Sequence, residues 1–154
     1  MVIVIESIFE SEPIRVILNK LEAQKIDTTA RPDVVSFNVD VKMDEENRTD
    51  DELTLSFTLD IESKPSLVQF VVGGKAVISG GKRDIDRYLE VDERSQVPRV
   101  LHTIYQRVFT SLFVISSLLE LPYPPPDLIH SPESAREGDI LVDDQMAVAT
   151  AQVQ

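Results

Sequence analysis

His102 and His130 are the only imidazoles in a chain of 154 residues, and cysteine is absent. Imidazoles with carboxylates nearby are the raw material of a metal site or a proton relay. Both chemistries need set spacings. Neither HxxxH nor HExxH occurs, and no sulfur ligand is available for a structural zinc. Disulfides and thiol nucleophiles are excluded outright. The histidines are therefore read as a helix-start residue and a surface-loop residue. No catalytic group, metal or cofactor is expected.

Two further stretches invite a chemical reading. "GGKAVISGGK", residues 73–82, is glycine-rich, but it does not match GxxxxGK[ST] and starts inside an apolar strand pattern. It is a poor phosphate cradle. Its glycines are read as bends, with a bulge or bend at Gly73 and Gly74 and a strand end at Gly80. "DEENRTDDE", residues 44–52, holds six acids but lacks the glycine and the spaced final Glu of a calcium loop. It reads as a solvated hairpin loop.

What chemistry remains is apolar surface. Phe109, Phe113 and Tyr123 are candidates to line an interface or groove. Behind them, "LPYPPPDLIH" carries Pro124, Pro125 and Pro126 in a row. Proline donates no backbone hydrogen bond and favours extended polyproline geometry, so this strap is stiff. It reads either as a fixed crossing over a sheet edge or helix end, the favoured reading residue by residue, or as a rigid rim for an extended apolar peptide.

The elements that must position these residues follow from periodicity. "MVIVIESIF" reads as an opening strand. In 12–25, Ile14, Ile17, Leu18 and Leu21 fall on one helical face, and Leu, Glu, Ala, Gln and Lys are good helix formers, so a helix is expected. Val35, Phe37, Val39 and Val41 alternate with polar residues, as do Leu53, Leu55, Phe57, Leu59 and Ile61; these two strands should pair antiparallel. Val68, Phe70 and Val72 open a further strand. Pro98 starts a long helix to about residue 121, with a stripe of Leu101, Ile104, Tyr105, Val108, Leu112, Ile115 and Leu119 widened by Val100, Phe109 and Phe113. Polar residues are sparse after Arg107. So much apolar girth exceeds what one small sheet covers, and a partner subunit is expected.

The expected architecture is α+β: an antiparallel sheet of about four strands covered by a long helix in the C-terminal half, within one domain over 1–130. Residues 131–154 read as an acidic, flexible tail. The formal charge of −12 argues against nucleic-acid binding and favours basic partners. No apolar run approaches the ~20 residues of a membrane span. The start lacks a basic leader, so a cytoplasmic protein is expected.

The order of a glycine-containing last strand, a polar connection, Pro98 with a long apolar helix, then Leu121-Pro122 and the segment Pro124 to Leu128 resembles the SecB-type export chaperones and their small archaeal and toxin–antitoxin-associated relatives. The match covers about residues 66–130, with 33–61 agreeing in strand pattern. The first 30 residues keep Phe9 and Pro13 but otherwise depart from the family's opening. The resemblance implies a homo-oligomer, a tetramer built as a dimer of dimers or else a dimer. It implies the holding of unfolded or extended polypeptide clients without nucleotide hydrolysis, and a translocase component or an antitoxin as partner. Client contact or subunit interface is expected at Phe57, Phe70, Tyr105, Phe109, Leu112, Phe113, Tyr123 and Leu128. Gly73, Gly74, Gly80, Pro98 and the three strap prolines are left as structural. The alternative is an interaction protein that oligomerises through helix 98–121 and binds no client.

Overall fold

Alternation of branched and polar residues builds the sheet. In the computed structural model, which describes residues 13–129, four strands form: β1 (Ile14–Lys25), β2 (Ser36–Arg48), β3 (Glu52–Lys64) and β4 (Val68–Ser79). All neighbours are antiparallel, in the order β1-β4-β3-β2. One face of the sheet is apolar and dry. Val39, Leu53, Leu59, Ile61, Val68, Phe70, Val72, Ala76 and Ile78 are wholly buried there.

Two helices follow. α1 (Lys82–Leu89) is one short amphipathic piece anchored by buried Ile85. α2 (Arg99–Leu119) lies against β1, β4 and α1 and brings Val100, Leu101, Ile104, Tyr105, Val108 and Leu112 into the core. Pro98 stands at the N-cap of α2. The connection between the helices is closed by backbone bonds: Asp92 N–H to Val97 O at 2.9 Å, Gln96 N–H to Asp92 O at 2.8 Å and Arg99 N–H to Glu90 O at 3.0 Å.

Three expectations are corrected. Residues 14–25 form a strand, not a helix, and pair with β4 along their length from Ile14↔Ile78 to Lys25↔Val68. The acidic run is not one loop. Strand pairing continues to Arg48↔Leu53, and only residues 49–51 turn, while 44–52 stay exposed as expected. The polar connection after Gly81 contains α1, which its composition did not announce. The expected opening strand in "MVIVIESIF" and the acidic tail at 131–154 lie outside the described residues.

The glycine pair has a specific task. A register slip sits in β1 between Leu18 and Lys20, opposite Gly74 and Gly73, so the bulge lies in the partner strand. A β-carbon on Gly74 would overlap the Ile17 carbonyl oxygen and come within 3.0 Å of Phe57 Cζ. The missing side chain therefore lets β1 approach closely and leaves room for the Phe57 ring beneath. Gly80, at φ +142°, ends β4 in a conformation that L side chains rarely adopt.

Candidate apolar platform and proline strap

From Val108 to Leu119, α2 carries no charged residue. Its buried face continues down to Leu112 and Ser116. Its outer face divides by length. Thr103, Gln106, Arg107 and Thr110 occupy the first half, and Phe113, Val114, Ser117 and Leu118 the second. Leu118 is 77% exposed, Val114 52% and Phe113 44%. A helix turns such residues into a contiguous ridge, because positions three and four apart are neighbours.

Tyr123 extends the ridge from the strap. Its ring meets Phe113 edge-on at 5.0 Å between centroids and Phe109 at 6.4 Å. Phe109 in turn lies 6.4 Å from both Tyr105 and Phe113. Tilted and edge-on pairs suit the ring quadrupoles, at about 0.5–1.5 kcal/mol per pair beyond burial. The four rings thus run from the core to the surface. Tyr105 is buried, Phe109 half-buried, and Phe113 and Tyr123 are exposed.

The strap reaches its place through a left-handed residue. Glu120 ends α2 at φ 53° and ψ 47°, and Leu121 N–H donates back to Ser116 O at 2.9 Å. The chain then runs back along the helix, past Phe109 at Tyr123 and past Tyr105 at Pro125. There the Tyr105 hydroxyl donates to the Pro125 carbonyl at 2.6 Å. Burial, with Asp127 adding to it, pushes the Tyr105 phenol up, so it stays a donor throughout the neutral range. Pro124, Leu128 and Ile129 are buried, whereas Pro125 and Pro126 face solvent. The strap is therefore fastened at both ends to its own helix and core.

Of the residues singled out from sequence, Phe57, Phe70, Leu112, Tyr105 and Leu128 lie in the chain's own core. Phe109, Phe113 and Tyr123 come together at the surface. Val114 and Leu118 complete the ridge and were not singled out, although the uncharged run 108–119 was the signal that pointed to them. His102 hydrogen-bonds Ser95 Oγ at 2.7 Å through Nε2, one turn into α2. Among the described residues no cluster of His, Asp and Glu could hold a metal, and no helix is long and apolar enough to cross a membrane.

An open four-stranded antiparallel sheet with one face under a long helix is an α+β arrangement of the SecB-like kind. Among solved structures, the chain is similar to a SecB-like chaperone of Mycobacterium tuberculosis, in complex with a ChAD peptide from an antitoxin. The TM-score is 0.53 at 7% identity, over 72% of this chain and 87% of that one, a likeness of fold. No protein-family model and no curated protein sequence matches the chain.

Proposed function

We propose that this chain is an ATP-independent holdase of the SecB type, which binds unfolded or extended polypeptides on the platform of Phe109, Phe113, Val114, Leu118 and Tyr123. The observation that carries this reading is the exposed ridge itself. It is aromatic and uncharged on a chain of formal charge −12. Covering a Leu or Phe side chain fully is worth about 1.5–3 kcal/mol, so several weak contacts hold a client firmly. The net negative charge of the chain draws basic segments toward it. The protein acts in the cytoplasm as a homo-oligomer, a tetramer or a dimer, and passes clients to a translocase component or shields an antitoxin. The fold likeness to a peptide-binding chaperone supports this reading and favours a role without catalysis.

The test is suppression of aggregation of a reduced, unfolded client at stoichiometric amounts, with scattering mass measured alongside. Leu118→Ser, at a position 77% exposed, should leave the fold intact and weaken client holding. A wild-type protein that leaves client aggregation unchanged overturns the reading.

A second reading has one observation in its favour. The ridge is a convex helix face rather than a groove, a shape well covered by the same helix of a second copy. In that case the protein is an assembly module, and Leu118→Ser changes oligomer mass while client aggregation never responds.

A further inference from the structure

Away from the platform, a cleft of about 340 Å³ opens between α1, the first turn of α2 and the start of β1. Pro13, Asp84, Arg87, Tyr88, Arg99 and Thr103 line it. Arg87 stands in the last turn of α1 and Arg99 is the first residue of α2. Ile85 roots α1 in the core, and the backbone bonds of the connection fix α1 against α2, so the two guanidiniums are mounted on a braced frame. Acids outnumber bases 27 to 15 in this chain, yet neither guanidinium is in an ion pair or a side-chain hydrogen bond among the described residues. Asp92 lies near Arg99 but outside the cleft. Its carboxyl is held low mainly by the Arg94 backbone N–H, with Arg99 a lesser cause.

We infer that this cleft is a carboxylate-binding site. Guanidinium forks match the two coplanar oxygens of a carboxylate, and the lining also holds two hydroxyl-bearing residues, Tyr88 and Thr103. Asp84 selects among anions. Among the described lining residues, two arginines against one aspartate leave a single positive charge, which a monoanion balances and a phosphate dianion exceeds. The carboxylate is either a chain terminus or an Asp or Glu side chain. This inference does not depend on the holdase reading.

The experiment is a titration of the full chain followed by NMR of the Arg87 and Arg99 side-chain N–H groups. N-acetylalanine supplies a terminal carboxylate, N-acetylaspartate α-amide a side-chain carboxylate, N-acetylalanine amide the uncharged control, and inorganic phosphate the competing anion. One or both carboxylates should shift the two arginine signals, and which of them does so assigns the source. The amide should not, and phosphate should bind more weakly. Arg87→Gln and Arg99→Gln, both at exposed positions, should each weaken carboxylate binding about tenfold, as the loss of a hydrogen bond to a charged group implies. Equal response to the amide, tighter phosphate, no response to either carboxylate, or binding unchanged in both variants overturns the inference.

Discussion

Ser116 and Ser63 carry the same hydroxyl into the same dry core, with opposite consequences. Ser63 Oγ donates to the Pro65 carbonyl at 2.8 Å and accepts the backbone N–H groups of Leu67 and Val68 at 2.9 and 3.1 Å. Ser116 Oγ is fully buried with no partner among the described residues. Ser63→Ala strands two buried donors and should cost about 1–3 kcal/mol. Ser116→Ala removes an unsatisfied group and improves helix propensity, so it should stabilise by about 1 kcal/mol. Urea unfolding of the two variants reads both signs. Tyr105 adds a pH signature. Its phenol is raised by burial, then by Asp127, so the folded chain holds that proton more tightly than the unfolded one. That contribution is complete below the unfolded value of about 10 and is lost as pH rises through the folded value. Tyr105→Phe should therefore flatten the alkaline loss of stability above about pH 10. At neutral pH it should cost about 1 kcal/mol, because the Pro125 carbonyl loses its donor. Thermal melts across pH test both effects.

At the scale of elements, the β2–β3 hairpin was legible because each strand keeps strict alternation. Its paired residues, Val39↔Ile61 and Val41↔Leu59, are the residues alternation marks. β1 resembles a helix in sequence for a traceable reason. Its core-side residues run Ile14, Val16 and Leu18 opposite Ile78, Ala76 and Gly74, then slip by one at the bulge to Leu21 and Ala23 opposite Val72 and Phe70. A period of two with one slip imitates a helical spacing of three and four. The bulge depends on a cross-strand neighbour, Gly74, which lies far along the chain and is invisible to a local pattern. α1 escaped because Ile85 is its one fully buried side chain. The platform was half legible: the apolar run showed excess girth, but which residues the sheet absorbs is decided only by packing. The end of α2 yields a test. Glu120 places a β-carbon in the left-handed region and a negative charge at a helix C-terminus, both unfavourable. Glu120→Gly should raise stability by about 1 kcal/mol, measured as a shift of the urea midpoint at unchanged slope.

At the scale of the whole molecule, the outer face of α2 joins shape to assembly. Phe113 is 44% exposed in the single chain. Phe113→Asp should therefore leave circular dichroism unchanged while it disperses any oligomer built on this face, since a carboxylate in an apolar contact is costly. Scattering mass decides, and an unchanged assembly would move the subunit contact elsewhere. The sheet order has a consequence in time. β2, β3 and β4 are sequential neighbours and can zip as local hairpins, whereas β1, among the described strands, pairs with β4 alone. On a ribosome β1 emerges first of the four described strands, and its β4 partner arrives only after the whole β2–β3 hairpin and the stretch from Val68 to Ile78 have followed it. The closure of that long loop makes β1 the late-arriving strand. Until then the nascent chain carries a half-apolar segment whose β4 partner has yet to be made, so the last rung of the sheet is a task for the finished chain rather than for the growing one.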